Sequence, residues 1–344
     1  MKRVFLTLSA LAVLLTGCGN EQISEGTVAL ELTGEVIDIG ETSYFLGETI
    51  SYENVTVVPL ISQDYDPEQD ADYITLAEAT KNDWIEIIEK PGEEVYTELT
   101  VRYSGPKPLL LLAGELLLGG KQDRIVAKDT VIKPMSTVVV SVFCVEPGRW
   151  SGTSLSFNYP GVQVPMSVKE QAMLGSQDGV WAETKAYNDR AGSADRGRST
   201  VDMGMKSDEV VKFTKEGKAQ LLALRDTDRP VVGVVFIING KIRSMEIFGA
   251  PRLFSSAYES ILGGVLAEAA IDRSDDFDLP SAETLQAFLA KVSSAQSSAF
   301  MAGVPASGDP YLMGAAAGVS GAILFAEEED AAEITHGTFY NKED

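Results

Sequence analysis

The polar residues whose types and spacing could support chemistry crowd between residues 114 and 150. Glu115 follows Gly114, while Lys121, Gln122, Asp123 and Arg124 follow Gly119-Gly120. Glu146 and Arg149 flank Pro147-Gly148. These groups stand near the ends of short apolar runs, beside glycines that let a ligand or another backbone approach closely. Glu115 and Glu146 are the candidate catalytic carboxylates, able to act as general acid or base. Lys121, Gln122, Arg124 and Arg149 supply the donors that grip an anionic group. The competing account is fold-forming: Glu115 pairs with Lys121 or Arg124 to close a sheet edge, Gly148-Arg149 turn the chain, and Trp150 caps the core. Gly119-Gly120-Lys121 lacks Walker spacing and a following Ser or Thr, which argues against a nucleotide P-loop.

Two cysteines and one histidine limit the remaining chemistry. Cys144 closes the apolar run that begins at Val138 and reads as a buried, inert small hydrophobe. A Ser-His-Asp triad would have to use His336. A zinc site with several His or Cys ligands cannot be assembled, so neither metal nor cofactor is expected. Asp275-Asp276-Phe277-Asp278 lacks the spacing of a calcium loop and reads as a helix-flanking segment. Arg190, Arg196 and Arg198 fall in a polar stretch that reads as a solvated loop. The formal charge of −23 repels phosphate backbones and makes nucleic acid an unexpected partner.

The elements that must position these residues change character along the chain. Short runs punctuated by Gly and Pro predict strands at 55–61, 84–88 and 96–103, and several more from 109 to 145. One short helix is expected at 75–79. Beyond about residue 165 helices dominate, over 167–174, 180–188, 207–225, 255–273 and 281–293, with Ser207 as an N-cap before Asp208 and Glu209. Val231–Ile238 and Lys241–Phe248 flank Asn239-Gly240, whose residues suit a type I′ hairpin turn. A further strand is expected at 319–326. Strands in the first half with helices and a hairpin in the second predict an α+β fold, not an alternating parallel sheet.

Gly114-Glu115, Gly120-Lys121-Gln122-Asp123-Arg124 and Cys144-Val145-Glu146-Pro147-Gly148-Arg149-Trp150 resemble the signature of the ARPP domain family. Its proteins are associated, by gene neighbourhood, with ADP-ribosylglycohydrolases and rhodanese-phosphatase proteins. Asp123 stands where that pattern has Asn, and Pro147 where Gln or another polar residue is common. The resemblance extends over roughly residues 50 to 325, taking in 55–60, 177–181, the 231–248 hairpin and Leu253-Phe254. It carries no established reaction. It implies a contextual link to ADP-ribose chemistry, hence an anionic, phosphorylated or ADP-ribose-like ligand.

The amino terminus bears on location. Met1-Lys2-Arg3 is cationic, 4–16 is largely apolar, and Leu15-Thr16-Gly17-Cys18 resembles the lipobox of bacterial lipoproteins. The apolar run falls short of the ~20 residues that span a bilayer. Residues 1–17 are therefore expected to be a signal peptide and Cys18 the lipid attachment site. Two or more acyl chains anchor durably, at about 0.8 kcal/mol per buried methylene. The expected layout is a lipidated leader over 18–49, an α+β domain over 50–326 and an acidic polar tail over 327–344. The protein would face the periplasm or exterior from the cell envelope, held to the membrane by lipid. Its expected role is binding, with a small anionic ligand or a protein as partner. A hydrolase or transferase acting on an anionic substrate, or a structural envelope lipoprotein, are the alternatives.

Overall fold

A computed structural model describes residues 32–39, 42–63, 65, 73–89, 97–146, 155–193, 200–302, 309–313, 318–325 and 334–343. Strands β1 (Leu32–Ile39), β2 (Thr42–Gly47), β3 (Ile50–Tyr52) and β4 (Val55–Ser62) come first. A largely β segment follows: β5 (Ile74–Thr75), α1 (Leu76–Lys81), β6 (Ile85–Glu89), β7 (Glu98–Tyr103), β8 (Leu109–Leu111), β9 (Leu116–Gly119), β10 (Arg124–Val126), β11 (Thr130–Ile132), β12 (Ser136–Cys144) and β13 (Ser156–Asn158). Helices α2 (Met166–Leu174), α3 (Gln177–Arg190), α4 (Val201–Met205) and α5 (Asp208–Leu221) lead into the hairpin β14 (Val231–Ile238) and β15 (Lys241–Phe248). Helices α6 (Pro251–Ile271) and α7 (Ala282–Ala302) precede β16 (Tyr311–Met313), β17 (Val319–Phe325) and β18 (Ile334–Asn341). The fold is α+β, with a β-rich first half, as the element pattern predicts.

Two bodies of sheet organise these elements. A nine-stranded sheet runs β1-β2-β4-β14-β15-β18-β17-β16, with β3 paired to β4. Strands β6, β7, β9, β10, β12 and β13 close into a barrel, and β5, β8 and β11 form a small third sheet. The central strands β4 and β14 are buried on both faces because each face has its own cover. Val55, Val57, Val234 and Phe236 point into a core shared with α5 and α6. Val58, Leu60, Val235 and Ile237 point the other way, into a core with Phe288, Leu289 and Val292 of α7. This alternation is the two-residue period of a strand, with apolar residues on both sides because neither side meets water. The barrel interior is a third core, containing Leu99, Val101, Leu117, Val126 and Val140.

Local chemistry explains several element ends. Thr75 caps α1 through a capping box with Glu78, which satisfies two otherwise orphaned N–H groups. Pro251 starts α6, where its missing N–H costs nothing. Asn239 and Gly240 take φ of 52° and 73°, as a type I′ turn requires. Ser207 precedes α5, but its side chain makes no capping hydrogen bond. The helix expected over 207–225 ends at Leu221 and tightens into a 3₁₀ turn, Leu222–Asp226.

Two boundaries differ from the sequence reading. The leader assigned to 18–49 contributes β1 and β2, which extend the main sheet. The polar tail assigned to 327–344 contains β18, which lies between β15 and β17 and is almost wholly buried. Thr335, His336 and Thr338 are buried there, and His336 and Thr338 hydrogen-bond to buried carboxylates.

Candidate functional site

The turn from β9 to β10 gathers most of the motif at one end of the barrel. Gly119 and Gly120 take φ of 137° and 54°. A Cβ on Gly119 would meet the Ser156 carbonyl oxygen at 2.5 Å, across the β9–β13 seam. The Gly119 N–H donates to Asp123 Oδ1 at 2.9 Å, which closes the turn. The other Asp123 oxygen accepts from Thr200 Oγ1 at 2.9 Å, tying the turn to the start of α4. Gln122 Nε2 donates to the Glu146 carbonyl at 2.9 Å. The Lys121 N–H donates to Glu89 Oε1 at 3.2 Å. Gln122, Arg124 and Glu146 are buried and Lys121 is half-buried.

Arg124 lies at the centre. It pairs with Leu117 of β9 and Cys144 of β12, and its side chain is fully buried. Gln177 of α3 brackets Cys144, accepting from its N–H at 2.9 Å and donating to its carbonyl at 2.7 Å. The guanidinium is used unequally. Nη1 donates to the Gln122 and Asp123 carbonyls at 2.6 and 3.4 Å. Nη2 stands 3.5 Å from Glu89 Oε1, and the Phe157 ring centroid is 5.9 Å from Cζ. Neither Nε nor Nη2 has a hydrogen-bond partner among the described residues. These two nitrogens form one edge of the planar fork, the edge that holds a carboxylate or phosphate with two parallel bonds. Each buried donor left unpaired costs about 1–3 kcal/mol.

Glu115 is elsewhere. Its carboxylate accepts from the Leu112 N–H at 3.0 Å, and its backbone bridges to Gln163. The expected pairing with Lys121 or Arg124 is not made; the carboxylate beside Arg124 belongs to Glu89. The β8–β9 turn carries Glu115 into the interior, while the β9–β10 turn carries Arg124 and Lys121 to the barrel end. Burial pushes the Glu115 carboxyl up to about 8, against the opposing Leu112 N–H. Burial raises the pKa of the Tyr159 hydroxyl well above its ordinary value, and the nearby Glu115 carboxylate, once ionised, adds to the shift. Cys18 and Arg149 lie outside the described residues.

Beside Glu115 runs a buried ionic chain that the sequence reading did not assemble. His336 Nδ1 lies 2.6 Å from Asp129 Oδ2, and Nε2 lies 2.9 Å from Glu246 Oε2. Lys169 Nζ donates to Glu246 Oε1 at 2.7 Å, and Thr338 Oγ1 donates to Oε2 at 2.6 Å. The Ala113 N–H donates to Asp129 Oδ1 at 2.8 Å. Burial pushes His336 down, but Asp129 and Glu246 outweigh it and lift the imidazole to about 9. Burial pushes Glu246 up, but Lys169 and His336 outweigh it and hold the carboxyl near about 2. At neutral pH His336 is therefore cationic and Glu246 ionised, with the Glu115 carboxyl held protonated beside them. Both ring nitrogens of a cationic His336 are donors, so the residue cannot serve there as a general base. The chain joins the β10–β11 loop through Asp129, helix α2 through Lys169, and the main sheet through Glu246 and His336. A visible signal was Glu246 itself, a lone carboxylate inside the apolar run Met245–Phe248.

Cys144 is a buried thiol, and burial raises its pKa. Among the described residues no group of three or more His, Cys, Asp or Glu side chains could hold a metal ion.

A barrel packed beside a doubly covered antiparallel sheet, with a glycine turn presenting a buried arginine, defines an α+β domain with one distinctive polar end. The family model described as the ARG and Rhodanese-Phosphatase-superfamily-associated Protein domain, ARPP-1, matches residues 43–340. The chain belongs to this family. No curated protein and no solved structure matches the chain significantly.

Proposed function

We propose that the protein is a lipid-anchored envelope protein whose ARPP domain binds an oxyanion, carboxylate or phosphate, at Arg124. One observation carries the binding site: a fully buried guanidinium with its Nε–Nη2 edge free of hydrogen bonds among the described residues. Lys121 and Gln122 are the flanking donors, and Glu89 is a resident carboxylate too distant from Nη2 for a good hydrogen bond. The envelope location rests on the Leu15-Thr16-Gly17-Cys18 sequence. No helix among the described residues is long and apolar enough to cross a membrane, so in this proposal attachment falls to lipid on Cys18.

Calorimetric titration with inorganic phosphate and with succinate tests the site. Saturable binding by the wild type, lost in Arg124→Lys while the fold is retained by circular dichroism, is the expected result. Lysine keeps the charge but not the fork. No binding of either anion, or equal binding by the variant, overturns the proposal in favour of a structural arginine. A hydrolase or transferase reading adds Glu146, buried at the same end of the barrel, as general base. Turnover of a bound phosphate ester, abolished in Glu146→Gln, separates that reading from simple binding. For the anchor, palmitate labelling lost in Cys18→Ala is expected, and unchanged labelling removes it.

A further inference from the structure

The turn between β3 and β4 borders a different kind of site, with a lining that does not include Arg124. Glu53 adopts a left-handed φ of 46° at this turn. Asn54 follows it and is buried. Its Nδ2 donates to Asn239 Oδ1 at 3.0 Å and to the Ala269 and Asp272 carbonyls at 3.2 and 3.4 Å. That fixes the amide between the β14–β15 turn and the end of α6. Its Oδ1, buried, has no hydrogen-bond partner among the described residues. A buried acceptor without a donor calls for a ligand or water that brings one.

Asn54 forms part of the wall of a cleft of about 440 Å³, with Glu53, Arg273, Asp275 and Phe277. A second cleft, of about 370 Å³, shares Glu53 and Arg273 and adds the carboxylates Asp208, Glu209 and Glu216. Arg273 lines both. Its guanidinium pairs with Glu53, and its Cζ lies 5.2 Å from the Phe213 ring centroid. The lining carboxylates outnumber the lining cations, Arg273 and Lys212, across both clefts.

We infer that these paired clefts bind a linear amine, with one primary ammonium group in the cleft walled by Asn54. An ammonium is a compact cation with three donors and no acceptor. It supplies the missing donor to Asn54 Oδ1 and positive charge to Glu53 and Asp275. Phe277 offers apolar surface to the methylene stem. A second nitrogen along the same chain reaches the carboxylates of the neighbouring cleft. A divalent cation fits less well, because among the described residues no three ligating side chains converge. This inference is independent of the anion site at Arg124.

Spermidine is the probe. Calorimetry and amide NMR on the ¹⁵N-labelled protein should give saturable binding, with the Asn54 side-chain amide and the Arg273 and Ser274 backbone signals moving together. Asp275→Asn should weaken it about threefold, the scale of an exposed charge. Glu86→Gln, on the barrel, changes net charge equally and should leave it unchanged. Three results would overturn the inference: no saturation, equal displacement by magnesium at matched ionic strength, or equal effects of the two variants.

Discussion

His336 and Asp129 lie 207 residues apart in sequence and 2.6 Å apart in the fold. The bond joins β18 to the β10–β11 loop, and Glu246 continues it to Lys169. It places a buried, hydrogen-bonded ionic chain where three parts of the protein meet. Such a chain tolerates burial only while every member keeps its partner.

Removal of one partner should therefore be costly. Lys169→Met leaves Glu246 without its ammonium and should destabilise the protein by about 3–5 kcal/mol. Adding Glu246→Gln in the same chain should recover part of that loss. Urea denaturation of the two variants measures it, and a double variant no more stable than Lys169→Met would contradict the pairing argument.

The same chain sets a pH dependence. Glu115 titrates at about 8 in the fold against an ordinary 4.5, so its contribution is full below 4.5 and is lost as pH rises through 8. His336 behaves likewise, full below 6.5 and lost through about 9. Glu246 has the opposite sign: its contribution is present above 4.5 and lost as pH falls toward 2. Stability should peak at roughly pH 5 and decline on both sides. Urea midpoints across the acidic and alkaline ranges check it; a midpoint that rises steadily from pH 5 to pH 9, conditions spanning roughly both upward-shifted groups, would contradict these protonation states.

Gly119 should not accept a side chain. Its φ of 137° and the 2.5 Å approach of a Cβ to the Ser156 carbonyl leave room only by opening the β9–β13 seam. Gly119→Ala should cost about 1–3 kcal/mol and weaken anion binding, because the turn that holds Arg124 moves with the seam. Thermal melting and phosphate titration test both halves.

In the proposed site Glu89, 3.5 Å from Arg124 Nη2, would compete with an incoming anion. Glu89→Gln removes that charge and should tighten phosphate binding by about tenfold, the direction expected when like charges no longer oppose each other. Weaker binding in this variant would show that Glu89 helps to build the site.

Much of the fold was legible because local signals agreed with it. Asn239-Gly240 between two apolar runs marked the hairpin, and the switch from strand to helix patterning marked α+β. The ends were misread for a physical reason. Residues 334–341 carry polar side chains whose burial is satisfied only by distant partners, such as Asp129 and Glu246 for His336. No local pattern reports a partner so far away in sequence. The arrangement of the candidate residues was legible in part. Glycines at 119 and 120 pointed to the turn that holds Gln122 and Arg124, but Glu115 looked equivalent to them. Only the register, with Glu115 bridged to Gln163 and Arg124 paired to Cys144, separates the two. Glu89 escaped notice because it ends an ordinary amphipathic strand.

The most direct measurement is the Nε–H resonance of Arg124 in ¹⁵N-edited NMR, followed during phosphate addition. A guanidinium edge that takes up an oxyanion should move this signal downfield, with the same dissociation constant as calorimetry. If the signal stays in place while phosphate saturates the sample, Arg124 is not the anion site and its buried charge serves the fold alone.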